Sequence, residues 1–122
     1  MIAGPMSRQK SRKRIFSYDE AVSTFPFVRD LTSAAVKQIE ALMNTLESRD
    51  EMESRREELE EACERIFRLW TLEIQSIGAE VKGLWLVDWD SGDGYFCWRF
   101  PEETLGFFHT YEEGFAGRLP IN

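Results

Sequence analysis

The sequence predicts an α+β fold in which an N-terminal antiparallel helical hairpin, preceded by a short helix, packs on a C-terminal three-stranded antiparallel β-meander. Three observations predict it. Apolar residues recur at three- and four-residue intervals through the first two thirds of the chain, a polar gap with its own capping signal divides that region, and the last third changes to aromatic and branched runs separated by turn residues.

The first helix opens at Ser17-Tyr18-Asp19-Glu20, a capping box in which the serine hydroxyl accepts from the Glu20 N–H while the Glu20 carboxylate reaches back to the serine N–H. Pro26 removes a helical hydrogen bond and disfavours helical geometry at Phe25, so a short first helix is expected to break or kink there. Val28, Leu31, Ala35, Ile39, Leu42 and Leu46 then form one stripe of an amphipathic helix. Ser48-Arg49-Asp50-Glu51 repeats the capping pattern inside the polar gap, which marks a tight turn. The second long helix carries Met52, Leu59, Cys63, Ile66, Trp70, Ile74 and Ile77, has favourable four-residue charge pairs such as Glu51 with Arg55, and stops at Gly78. A competing reading fuses both helices into one long rod, because neither Gly nor Pro occurs from Phe27 through Ile77.

Leu84 to Trp89 reads as the first strand, Asp90-Ser91-Gly92-Asp93-Gly94 as a turn, and Tyr95 to Phe100 as the second strand. Pro101-Glu102-Glu103-Thr104 makes the next turn, and Leu105 to about Thr110 closes the meander. Strand alternation then assigns faces. With Trp89 opposite Phe96 and Phe100 opposite Leu105, one face gathers Trp85, Val87, Trp89, Phe96, Trp98, Phe100, Leu105, Phe107 and His109. Each buried ring offers roughly 4–6 kcal/mol before entropy, so this is the core face, covered by the later half of the second helix. The other face gathers Leu84, Leu86, Asp88, Tyr95, Cys97, Arg99, Phe108 and Thr110, with Asp88 and Arg99 able to meet diagonally. Its mixed character suggests cover by a second subunit, hence a homodimer.

Composition suits one domain. The chain has 122 residues, 43% hydrophobic and 30% charged. The organisation expected is a disordered basic arm over residues 1–14 and one α+β domain over 15–122, with helices over about 17–77, the sheet over about 84–111 and a tail over 112–122. Arg8, Lys10, Arg12, Lys13 and Arg14 precede every acidic residue of the chain, so the body is more acidic than the net charge of −7 suggests. Such a body repels phosphate backbones, and nucleic-acid association would rest on the arm alone. No apolar run comes near the roughly 20 residues that span a bilayer, and the N-terminus has no hydrophobic segment behind its charges, which points to a cytoplasmic protein without membrane contact. Cys63 and Cys97 have no paired spacing, so both are expected to be reduced.

The sequence carries no recognisable catalytic motif. The candidate catalytic residues are His109, the only histidine, with Asp88 and Arg99; in the favoured register His109 lies beside Trp89 and Phe96, away from Asp88 and Cys97, and no Asp–His or Cys–His pair forms. A slip of one residue in one hairpin reverses that. Gly114, Gly117 and Arg118 form a candidate anion site, since glycines let backbone N–H groups converge and an arginine clamps the anion. A tail bent back over the sheet, with Arg118 paired to an acidic helix residue, explains the same residues. Neither a cofactor nor a metal is expected, because one histidine leaves carboxylates to supply most ligands of a protein-only zinc site.

Cys97-Trp98-Arg99, then His109 after an apolar strand, then Gly114-Phe115-Ala116-Gly117-Arg118 resembles a bacterial family known as domain of unknown function 2203. Phe16-Ser17-Tyr18-Asp19-Glu20-Ala21, the step from Gly78 to Lys82, and Leu86-Val87-Asp88-Trp89 are similar to the family as well; Pro101-Glu102 and Phe108-His109 depart from its usual Gly-Glu turn and Trp-His pair. The resemblance implies a shared fold and a recurring polar set of Asp88, Arg99, His109 and Arg118, and supplies no function. The favoured reading is a non-enzymatic, self-associating interaction or scaffold domain with an unknown protein partner. The alternatives are a small ligand-binding enzyme or hydrolase using His109 with Arg99 and Arg118, and nucleic-acid association through the basic arm.

Overall fold

A computed structural model describes residues 14–121. Helix α1 runs over Tyr18–Asn44, a short α2 over Arg49–Ser54 and α3 over Arg56–Ser76. Strands β1 (Glu80–Gly83), β2 (Leu86–Asp90), β3 (Tyr95–Arg99), β4 (Phe107–His109) and β5 (Leu119–Pro120) follow, with a 3₁₀ turn at Phe115–Gly117 before the last. Every strand pairs antiparallel with its neighbour in sequence, in the order β1-β2-β3-β4-β5. The fold is therefore helices followed by a five-stranded antiparallel sheet, two strands more than expected. Both extra strands are short edges. Only Val81 of β1 faces the core, and β5 has two residues, one a proline, which edge positions tolerate.

The helical capping box at Ser17 and Glu20 forms as predicted, with bonds of 3.1 and 2.9 Å. Pro26, however, neither breaks α1 nor leaves a separate short helix before it, because Ala21, Phe25 and Val28 on both sides of it are buried in one core. A helix-interior proline costs about 3 kcal/mol. Here Val22 and Pro26 are exposed, so water can reach the carbonyl that the proline leaves without a donor. The helices meet each other and do not form a single rod: the Trp70 indole N–H on α3 donates to Thr32 Oγ1 on α1 (2.8 Å), and Thr32 in turn donates to the Val28 carbonyl (2.7 Å). At the turn Ser48 accepts from the Glu51 N–H, while the Glu51 carboxylate bonds the Glu47 N–H instead of closing a second capping box.

Trp89 uses the same device, donating its indole N–H to Thr24 on α1 (2.8 Å), which donates to the Ala21 carbonyl (2.9 Å). Trp89, Trp98 and Val87 from the sheet, Phe25 and Val28 from α1, and Trp70 and Ile74 from α3 make one core, entered from the N-terminal side by Phe16, whose N–H donates to the Asp90 carbonyl (2.7 Å). Leu84 and Trp85 do not start β2 as expected. They form the β1–β2 turn, with Trp85 in the left-handed region (φ 57°), a conformation held by packing of its ring on Trp70 (4.9 Å) and Phe67 (6.0 Å).

Pairing of β2 with β3 places Trp89 opposite Phe96, as the sequence predicts. Pairing of β3 with β4 is one residue off: Phe96 faces Phe108 and Tyr95 faces His109. The reason lies in the connection. Leu105 is no strand residue but a buried plug whose carbonyl accepts from Tyr18 Oη (2.8 Å), and the segment after Arg99 closes on itself through Glu102 N–H to the Arg99 carbonyl and Trp98 Nε1–H to the Glu102 carbonyl. Strand β4 thus starts at Phe107, and its alternation reverses: Phe108 turns to the core side against Phe96, while Phe107 and His109 turn outward.

Residues 1–13 of the basic arm expected over 1–14 lie outside the described residues. Arg14, its last cation, lies over the Phe16 ring and donates to the Ile77 carbonyl (3.3 Å). Among the described residues no helix is long and apolar enough to cross a membrane.

Candidate functional site

The reversed alternation assembles what the expected register kept apart. Asp88 on β2 lies directly opposite Cys97 on β3, and His109 on β4 lies opposite Tyr95, one step along the same face. One ligand atom from each of Asp88, Cys97 and His109 lies within 4.8 Å of the other two. All three are buried, at 1%, 0% and 4% exposure, on the face of the sheet turned away from the helices.

His109 Nδ1 sits 2.8 Å from the Thr110 carbonyl oxygen, which can only accept, so Nδ1 carries a proton and Nε2 is the nitrogen presented to the centre. Nε2 is 2.9 Å from Asp88 Oδ2, a contact that requires one proton between the two atoms. Lys82 Nζ on β1 approaches the same Oδ2 at 3.4 Å. Burial works against the Lys82 charge, but Asp88, then Tyr95 and Glu80, outweigh it and hold the ammonium above its ordinary range. Lys82 also lies over the Tyr95 ring (3.8 Å), and Tyr95 Oη donates to Glu80 Oε1 (3.2 Å). Asp88 Oδ1, by contrast, is sealed from solvent and has no hydrogen-bond partner among the described residues.

The Cys97 thiol is pushed well up, by burial first and by the neighbouring Asp88 charge second, with Arg118 opposing. Both effects favour the protonated thiol over the thiolate. A second buried carboxylate shows the contrast: Asp90 Oδ1 accepts from the Gly92 N–H (2.9 Å) and from Tyr111 Oη (2.7 Å), and that bond, more than burial, holds the Tyr111 hydroxyl up at about 12.

Arg118 arrives from the C-terminal segment and makes a two-pronged ion pair with Glu102 (3.0 and 2.8 Å), its guanidinium stacked over Phe107 (4.0 Å) and Phe115 (4.1 Å). The tail does fold back over the sheet, but its partner is a loop acid and not a helix acid. Gly114 (φ 68°) and Gly117 bracket the 3₁₀ turn, where the guanidinium is already engaged by Glu102. Arg99 is exposed beside Phe115 (5.4 Å), and the Asp88 oxygen expected to meet it is taken by His109 and Lys82. The C-terminal segment thus reaches this face at Phe107 and Arg99, while Leu84 and Thr110 stay exposed.

Gly94 makes the junction possible, since a Cβ there would lie 2.5 Å from the His109 carbonyl oxygen and 2.6 Å from Phe108 Cζ. Sequence reasoning missed Lys82, Tyr95, Glu80 and Glu102 as members of these networks. The polar-apolar-polar order Glu80-Val81-Lys82 ahead of Gly83 was the available signal for β1 and its outward-facing ends.

Fold and centre together define an α+β fold with a buried polar cluster between strands of its outer sheet face. The family model described as "Uncharacterized conserved protein (DUF2203)" matches residues 14–121, and the chain belongs to that family. Neither the curated proteins nor the solved structures gave a match.

Proposed function

We propose that the protein is a non-enzymatic interaction module that self-associates through the open side of its helical hairpin. The observation that carries this reading is that Leu69 and Leu72 on α3 are each 55% exposed although they flank the buried Trp70. Leu69 lines two neighbouring grooves between α1 and α3, which share Ile66 and present Ala34, Ala41 and Ala62 beside the polar Gln38, Arg65 and Glu73. A leucine ridge beside an alanine-floored groove is self-complementary, the arrangement that a two-fold homodimer uses. This moves the expected dimer contact from the mixed sheet face, whose centre at Asp88, Cys97 and His109 is already buried within the chain, to the helices.

The enzymatic alternative, with His109 as base and Arg99 or Arg118 as anion clamps, has the Asp88–His109 contact in its favour. Burial of His109 and the commitment of Arg118 to Glu102 weigh against it.

Light scattering at tens of micromolar is expected to give twice the chain mass. Leu69→Asp with Leu72→Asp is expected to give one chain mass with an unchanged far-UV spectrum. A wild-type protein that runs as a monomer throughout that range sinks the reading.

A further inference from the structure

We propose that Asp88, Cys97 and His109 bind one divalent transition-metal ion of the zinc class. The inference is independent of the helical-face reading. It starts from the donor set: imidazole nitrogen, thiolate sulfur and carboxylate oxygen suit a borderline-soft ion and do not suit calcium or magnesium.

Geometry agrees with the donors. A tetrahedral zinc with bonds of about 2.0–2.3 Å separates its ligand atoms by roughly 3.3–3.7 Å. Here they all lie within 4.8 Å of one another, with His109 Nε2 and Asp88 Oδ2 at 2.9 Å, so closure requires side-chain adjustments of about 1 Å. His109 donates its Nδ1–H to a backbone carbonyl, the arrangement that fixes metal-bound histidines and aims the other nitrogen at the ion. Asp88 Oδ1 supplies the independent observation: a sealed carboxylate oxygen without a hydrogen-bond partner among the described residues, beside an oxygen that is doubly engaged.

Charge closes as well. On binding, the Cys97 thiol proton and the proton held between His109 and Asp88 leave to water, and one dication enters, so the buried centre keeps its net charge. The three ligands come from β2, β3 and β4, and a fourth position falls to water. Lys82, 3.4 Å from Asp88 Oδ2, sets a positive charge beside the carboxylate and so opposes entry of the dication.

The test is titration of the full chain with Co²⁺ followed by displacement with Zn²⁺, reading the near-ultraviolet thiolate-to-cobalt band. One cobalt per chain with that band is expected, and zinc should abolish it. Cys97→Ser should remove the band and weaken zinc binding by about tenfold or more, while Cys63→Ser leaves both unchanged. Lys82→Met, a change at a partly exposed side chain that spares the ligands and the core, should tighten binding by about tenfold. Absence of the band, its survival in Cys97→Ser, or zinc binding to Lys82→Met no tighter than to wild type would each overturn the site.

Discussion

The two faces of the sheet differ in what their burial is made of. The helix-facing side collects Val87, Trp89, Phe96, Trp98 and Phe108, whose packing needs shape and little direction. The outer side collects Lys82, Asp88, Cys97, Phe107 and His109, and there burial is reached through directed contacts among polar groups beneath a short C-terminal segment. Asp88, 1% exposed, is as inaccessible as the tryptophans. The inner face holds the domain together by area, whereas the outer face is stable only while its partners stay in place.

That contrast can be broken at several points. Trp98→Ala removes a fully buried ring of the inner face, which meets Phe25 (5.3 Å), and should cost about 3–5 kcal/mol by urea denaturation. A loss below about 1 kcal/mol would mean that the inner face is not the main source of stability. Asp88→Ala leaves His109 and Lys82 without their carboxylate and should cost about 3 kcal/mol, whereas the double change Asp88→Leu with His109→Leu should cost much less than the sum of its parts. Additive losses would show that the two side chains act separately.

Gly94→Ala forces its methyl group against the His109 carbonyl and should cost about 1–3 kcal/mol, with faster amide exchange concentrated in β4. Exchange that accelerates equally across the sheet would argue against a local defect. Arg118→Lys keeps the charge but loses the two-pronged contact with Glu102 and the stacking on Phe107 and Phe115, and about 1 kcal/mol is expected. Leu69→Asp, on the open helical side, should shift monomer stability by no more than about 0.5 kcal/mol; a larger loss would place Leu69 in the fold and not on a free surface.

Much of the inner face was legible in the sequence, because Val87, Trp89, Phe96 and Trp98 alternate through a turn of definite chemistry and a two-strand register follows from it. The outer centre was only half legible. Asp88, His109 and Cys97 stood out as residues, yet their meeting depends on the parity of the Phe100-to-Gly106 connection, and nothing local distinguishes Leu105 as a plug from Leu105 as the first residue of a strand. Likewise Pro26 carries a strong local signal against helix, which the burial of Phe25 and Val28 overrides. Strands β1 and β5 have too few apolar positions to announce themselves.

The threonines at 24 and 32 lie eight residues apart on one helix, about 12 Å along its axis, and each receives an indole proton from a different element. A rod clamped at two points can neither slide by a turn nor roll about its axis without releasing both clamps together. A load placed on this helix would therefore meet a rigid lever and would reach the far side of the molecule through bending of strands or repacking of rings, not through a piston stroke of the helix.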